Sequence, residues 1–144
     1  MLAGLRILIG LVLLASGIEK TLGPYQNFLY VIQAYQMLPG SLENMVAIVL
    51  PWVELIVGLF MVLGLWVPLA LNATLIVFTM FIVVVGQALL RGLPIDQCGC
   101  FGQDIHIAPR VIIVFDSVTL LLTYVLTRNI SKTSRFSLDG YFHQ

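Results

Sequence analysis

The chain has 144 residues, of which 60% are hydrophobic and only 10% are charged, and its mean hydropathy is +1.03. This composition excludes an ordinary soluble domain and indicates a protein of the lipid bilayer. Seven basic and seven acidic residues give a formal net charge of zero, so the charge balance does not point to nucleic acid or another polyanion as a partner.

Four stretches of the chain are long and apolar enough to cross a membrane. A hydrocarbon core of about 30 Å needs about 20 apolar helical residues. The stretches that come near this length are residues 2–18, 42–65, 69–90 and 108–127. We therefore predict an all-α integral membrane four-helix bundle over residues 1–128, with a polar cytoplasmic tail over residues 129–144. A cleavable signal peptide is the alternative for the first stretch, because Arg6 precedes an apolar run that ends in small residues.

The segment between the first two stretches, residues 23–41, is too polar to cross a membrane and too apolar for a free linker. After Pro24, which suits the first turn of a helix, its large apolar residues recur at helical spacing. They are Tyr25, Phe28, Leu29, Ile32 and Tyr35. We expect a short interfacial helix between spans one and two that anchors the chain at the headgroups. A substrate or quinone cleft beneath this helix is the alternative.

Three charged residues fall inside the apolar stretches. An isolated charge at mid-membrane costs several kcal/mol, so Arg6, Glu54 and Asp116 each need a partner or a function. Arg6 and Glu54 both lie twelve residues from the same predicted membrane face, about 18 Å deep at ~1.5 Å per residue. We therefore expect a buried Arg6–Glu54 bridge that sets helix register, with a proton relay as the alternative. Asp116 is expected to be paired or hydrated, and it is also a candidate acceptor for a thiol proton.

Glycines in the first two stretches are expected to let the helix backbones approach closely, as small residues do in membrane helices. They are Gly4, Gly10, Gly17, Gly58 and Gly64.

The only two cysteines, Cys98 and Cys100, lie in a polar run between the third and fourth stretches. Thiols one residue apart close into a disulfide only if the chain turns sharply, because their Cα atoms must come within about 4.4–6.8 Å. Gly99 between them permits such a turn. Thiol–disulfide exchange needs an attacking thiolate and a resolving thiol, and this pair supplies both. The pattern predicts a loop that opens and closes a small dithiol ring.

Charged side chains near the cysteines would tune their reactivity. A protonated His106, Arg91 or Arg110 would lower the pKa of one thiol, whereas Asp96 and Asp104 would raise it. The sequence does not decide which sulfur attacks.

One dithiol holds two electrons and the chain has no second pair, so turnover needs an external donor or acceptor. The candidates are the cysteines of an extracytoplasmic client or thioredoxin-like partner, and a membrane quinone. Four alternatives remain open. They are a static disulfide, a non-catalytic assembly or scaffold subunit of a redox complex, a transporter that uses Arg6, Glu54 and Asp116, and a metal site of Cys98, Cys100, Asp104 and His106. The metal site is disfavoured because zinc sites usually space their cysteines by two to four residues.

Two arguments place the cysteine loop outside the cytoplasm. Four spans put both termini on one side, which carries Arg6, Arg128, Lys132 and Arg135. The opposite side carries Lys20, Arg91 and Arg110. A majority of four basic residues against three favours cytoplasmic termini. A disulfide also persists on the extracytoplasmic side and is kept reduced in the cytosol.

Several of these features together resemble one family, that of the methylamine utilisation protein MauE within the broader DoxX-like group of four-helix membrane proteins. The matching residues are Arg6, residues 16–20, Tyr35, Leu38-Pro39, residues 51–55, Gly58 and the run Cys98-Gly99-Cys100-Phe101-Gly102. The resemblance implies a role in forming or handling disulfides outside the cytoplasm, in MauE's case during maturation of the small subunit of methylamine dehydrogenase. DoxX-like relatives imply redox partners and quinone-linked sulfur chemistry. Cys98 and Cys100 would be the catalytic pair, supported by Arg6, Glu54, Asp116 and His106.

Overall fold

The computed structural model describes residues 2–93 and 108–130. Within these ranges the chain forms five α-helices. They are α1 (Leu2–Leu22), α2 (Tyr25–Ala34), α3 (Gly40–Leu63), α4 (Val67–Leu90) and α5 (Pro109–Arg128). By length and composition, α1, α3, α4 and α5 are able to cross a membrane. The prediction of an all-α bundle with four spans and a short helix after the first is confirmed.

The helix ends agree with the predicted spans to within about four residues, and the largest difference is at the end of α1. The sequence predicted that the first span stops near Glu19 and Lys20, but α1 continues to Leu22. Lys20 does not mark a membrane exit because its side chain is buried in the bundle. A charged residue ends an apolar span only when it has no partner inside.

Helices α1 and α3 form the closest pair in the bundle, and glycines make their contact possible. A Cβ on Gly58 would lie 2.9 Å from both the carbonyl oxygen of Gly10 and the amide nitrogen of Leu14. A Cβ on Gly17 would lie 3.0 Å from the carbonyl oxygen of Pro51. The two helices therefore run antiparallel with backbone against backbone, as predicted for Gly10, Gly17 and Gly58.

Two of the glycines expected at this contact do something else. A Cβ added to Gly4 would meet no atom of a neighbouring helix within 4 Å in the described part of the chain, so Gly4 makes no close helix contact there. Gly64 ends α3 in the left-handed conformation, with φ of 69°, and its amide donates to the carbonyl of Phe60. Its role is to cap the helix before the tight turn into α4.

The core has two parts, which lie at different levels of the bundle. The larger cluster joins α1, α3, α4 and α5 through Ile9, Leu13, Val57, Met61, Val67, Ala70, Leu71, Val77, Phe78 and Leu126. The smaller cluster contains Tyr35, Val85, Ala88 and Ile112, with Val31 and Leu93 packed against it. It fastens α2 to the far end of α4 and the start of α5.

Candidate functional site

A buried ion pair joins α1 to α3. The Nζ atom of Lys20 lies 2.8 Å from both Oε1 and Oε2 of Glu54, and neither side chain has appreciable exposure. Lys20 also donates to the hydroxyl of Ser16 at 2.8 Å, and that hydroxyl donates to Oε2 of Glu54 at 3.0 Å. The three side chains form a closed hydrogen-bonded triangle, which is the arrangement that makes a buried charge pair tolerable.

The local sequence explains how the triangle forms. Ser16 and Lys20 are four residues apart, so they lie on one face of α1. Gly17, between them in sequence, lets the α3 backbone come close enough for Glu54 to reach both. The ammonium group also lies 5.2 Å from the ring centroids of Phe28 and Phe81, and their π faces add attraction for the cation.

The predicted Arg6–Glu54 bridge is wrong. Both carboxylate oxygens of Glu54 are bound by residues near the end of α1, and Arg6 lies ten residues before Ser16 on the same helix. At about 1.5 Å per residue this is about 15 Å, beyond the reach of an arginine side chain. The depth estimate failed because it placed the end of the first span, at residue 18, level with the start of the second, at residue 42, whereas Gly17 lies beside Pro51. Arg6 is fully buried at the opposite end of the bundle.

An apolar cleft lies next to this ion pair, beneath α2. Its volume is about 590 Å³, and its walls come from α2, α3 and α4. Lys20 is the only charged residue among the described residues that line it, and Tyr35 and Thr79 are the other polar ones. The sequence analysis raised a cleft beneath this helix only as an alternative to simple anchoring; the cleft is present.

The cysteine loop itself lies outside the described residues, and so does His106. Both described ends of the segment 94–107 are at the α2 end of the bundle. Leu93 packs against the cluster that contains Tyr35, and Arg91 donates from Nη1 to the carbonyl oxygen of Gln36 at 3.4 Å. Ile112, near the start of α5, belongs to the same cluster, so the described residues on both sides of the segment lie at this end of the bundle.

A model of the family described as methylamine utilisation protein MauE matches residues 1–128. The chain belongs to the MauE family. Comparisons with curated proteins and with solved structures give no match. With its four apolar helices, the chain is a multi-pass membrane protein of this family, as the resemblance implied.

Asp116 is a further buried ionisable group of this MauE-family protein, within electrostatic range of the Lys20–Glu54 pair. Its carboxylate on α5 is buried, and Oδ2 has no hydrogen-bond partner in the described part of the chain. It interacts electrostatically with Lys20 and Glu54, and the ammonium group of Lys20 has three acidic groups, Glu54, Glu19 and Asp116, within electrostatic range. Asp116 is thus close to the Lys20–Glu54 pair, although no hydrogen bond joins it to them in the structure.

Tyr35 lines the cleft and lies within electrostatic range of Asp116. It follows α2 directly and is buried in the smaller core cluster. Burial raises the pKa of Tyr35 to about 12, and the negative charge of Asp116 adds to this shift. The phenol therefore stays protonated at physiological pH and remains able to donate a hydrogen bond.

Sequence reasoning missed Lys20 and Ser16 as members of the buried MauE-family site. The available signal was the spacing of a serine and a lysine by four residues, next to a glycine, in a helix that continues to be apolar through Leu22. The metal alternative needed Cys98, Cys100, Asp104 and His106, which lie outside the described residues. Among the residues described, no group of three His, Cys, Asp or Glu side chains is placed to hold a metal.

Proposed function

We propose that this MauE-family protein is a membrane-embedded thiol–disulfide redox protein that supports disulfide formation in an extracytoplasmic client through Cys98 and Cys100. The observation that carries the proposal is the Cys-Gly-Cys run in a polar segment between two membrane helices, in a chain that matches the family over residues 1–128. The family description links the protein to methylamine utilisation. An exported protein that matures by forming disulfides is the client class that fits this chemistry.

The reaction transfers two electrons from the client to the loop. A client thiolate attacks the Cys98–Cys100 disulfide, which forms a mixed disulfide and releases one loop thiolate. A second client thiolate attacks the client sulfur of that mixed disulfide, so that the client leaves oxidised and both loop cysteines are reduced. The protons of the two client thiols are taken up by the two loop thiolates, directly or through water.

The reduced loop must then give up its two electrons. A lipid-soluble quinone is an acceptor of the right chemical class, because it takes two electrons and two protons and leaves as a quinol while the loop disulfide reforms. A protonated His106 in the same segment would favour the thiolate form of a neighbouring cysteine. A thioredoxin-like partner with its own cysteines is the other acceptor class.

We also propose that the loop faces away from the cytoplasm. Arg6 and Lys20 are buried within the bundle and so do not count as loop charges. Without them the comparison is Arg128, Lys132 and Arg135 on the terminal side against Arg91 and Arg110 on the loop side. The majority of basic residues still favours cytoplasmic termini.

The test uses the full chain in proteoliposomes with a reduced, exported reporter protein and a quinone. Cys98→Ser and Cys100→Ser should each lower reporter oxidation by at least about tenfold, since exchange needs both thiols. Gln103→Ser in the same segment is the matched control and should keep the wild-type rate. Because a single remaining cysteine cannot form the loop disulfide, neither variant should form a mixed disulfide with the reduced reporter, whereas the wild type should form one transiently.

Two results would overturn the proposal. Full oxidation rates in both cysteine variants would favour a scaffold subunit with a structural disulfide. The second result comes from a membrane-impermeant alkylating reagent applied after mild reduction. If it labelled both thiols from the cytoplasmic side only, the loop would lie on the cytoplasmic side, contrary to the proposal.

A further inference from the structure

The volume and the lining of the cleft beneath α2 are those of a ligand-binding site rather than of a packing defect. Its volume of about 590 Å³ lies within the ordinary range of about 300–1,000 Å³ for small-molecule sites. Its wall is almost entirely aliphatic and aromatic, with one cation at its inner end. Such a wall with a single convergent polar group orients an amphiphile by its head.

The inner end of the cleft suits a flat head with electronegative groups, because aromatic rings and one ammonium group lie there. The Lys20 ammonium lies between Phe28 of α2 and Phe81 of α4, 5.2 Å from each ring centroid. Thr79 and Tyr35, both uncharged, are the other polar lining residues. A planar ring carrying carbonyl groups would pack against the aromatic side chains, with the negative end of one carbonyl dipole toward the ammonium charge of Lys20.

The charge balance selects a neutral head over an anionic one. Glu54 already neutralises Lys20 through two contacts of 2.8 Å, and Glu19 and Asp116 are further acidic groups within electrostatic range. A fatty-acid carboxylate or a phospholipid phosphate would bring a further negative charge into a site with one cation, and burial without a counterion is costly. A quinone carbonyl brings no charge.

The outer wall of the cleft leads to the lipid. Ile76, Met80 and Val83 line it from α4, and they are 64%, 44% and 56% exposed on an apolar membrane-spanning helix. Because these residues are at positions i, i+4 and i+7, they form one lipid-facing stripe. An isoprenoid tail would leave the cleft along this stripe and remain in the hydrocarbon phase.

We propose that the cleft between α2, α3 and α4 binds a lipid-soluble quinone, with one ring carbonyl directed toward Lys20 and the tail passing Ile76. The role of the quinone, which is to accept electrons from the dithiol, rests on the proposed function. Binding itself depends on the described residues and not on the cysteines.

The test measures binding of a ubiquinone with a single isoprene unit to the purified full chain in nanodiscs. Ile76→Trp would fill the mouth of the cleft from an exposed position, and we expect it to raise the Kd at least about tenfold. Leu69→Trp, seven residues earlier on α4, 58% exposed and not part of the cleft, is the matched control and should change the Kd less than about twofold. An unchanged Kd in Ile76→Trp, with its helical circular dichroism intact, would overturn the proposal.

A second measurement maps the site without relying on a variant. An azido derivative of the same quinone should label peptides of α2 and of α4 around residues 75–85 after illumination. Labelling confined to α5 would place the quinone elsewhere and overturn the assignment. Palmitate should fail to displace the probe; displacement by palmitate at lower concentrations than by unlabelled quinone would make a lipid carboxylate the occupant instead.

The cysteine double variant Cys98→Ser/Cys100→Ser separates this inference from the proposed function. It should bind the quinone with the wild-type Kd while it fails to oxidise the reporter. Absence of binding in the wild type, combined with normal reporter oxidation by a protein acceptor, would overturn the quinone site and leave the thiol–disulfide function standing.

Discussion

Removal of Lys20 alone should destabilise the bundle more than removal of Lys20 and Glu54 together. Lys20→Met leaves a fully buried carboxylate whose remaining hydrogen bond in the triangle is the one from Ser16, at 3.0 Å. Breaking a buried ion pair in this way costs about 3–5 kcal/mol. The double variant Lys20→Met/Glu54→Gln removes both charges, and its amide oxygen still accepts from Ser16. We expect it to lie within about 1.5 kcal/mol of the wild type, because only hydrogen bonds to the ammonium are lost.

The assay is the free energy of unfolding in mixed micelles of a mild detergent and SDS, followed by far-ultraviolet circular dichroism. A double-mutant cycle over Lys20 and Glu54 should give a coupling energy of at least about 1.5 kcal/mol, because Lys20→Met alone costs about 3–5 kcal/mol and the double variant at most about 1.5 kcal/mol. The matched cycle over Arg6 and Glu54 should give less than about 0.5 kcal/mol, as expected for side chains that do not touch. A coupling below that value for Lys20 and Glu54, or a larger one for Arg6, would refute the reasoning from the ion pair.

Other consequences of the structure can be measured in the same preparation. Gly58→Ala should destabilise the bundle by about 1–3 kcal/mol, because the new methyl group meets the backbones of Gly10 and Leu14 at 2.9 Å, whereas Gly4→Ala should be nearly neutral. In an alkaline absorbance titration one phenol should ionise near pH 12 and be absent in Tyr35→Phe. Because the folded-state pKa of Tyr35 is raised from 10.0, its contribution to stability is complete below pH 10 and is lost between pH 10 and about 12; equal loss in Tyr35→Phe would contradict this assignment.

The helices could be predicted from the sequence because the bilayer imposes a simple requirement on length and hydropathy. Each long apolar stretch had one available structure, and Pro24 marked a helix boundary that the structure contains. The pairing of charges could not be predicted in this way. It depends on how far α1 is shifted relative to α3 along the membrane normal. The contact of Gly10 and Gly17 with the α3 backbone sets this offset. Counting residues from the predicted span ends does not reveal it.

The reason Lys20 escaped notice is also physical. A lysine two residues before the end of an apolar helix is normally explained by its reach to the headgroups. Here the side chain turns inward because it forms hydrogen bonds with Ser16 and Glu54 and cation–π contacts with two aromatic rings, which together stabilise it more than the membrane interface would. The cleft could be raised only as an alternative, because the apolar side of a short amphipathic helix is equally suited to anchoring in lipid.

The offset between α1 and α3 accounts for both the ion pair and the cleft. Since Gly10 faces Gly58 and Gly17 faces Pro51, the end of α1 at Leu22 lies beside Val46, about six residues after the start of α3. The first turns of α3 therefore have no part of α1 alongside them, and α2 crosses this space instead. A ten-residue helix cannot fill the volume that a continued α1 would occupy, so a cleft remains between α2, α3 and α4. The last buried side chain of α1, Lys20, necessarily lies at its inner end. The charged group of this site, Lys20, is held by the close contact of α1 with α3. The short helix α2 covers the cleft. A ligand can therefore enter beneath α2 without disturbing the ion pair.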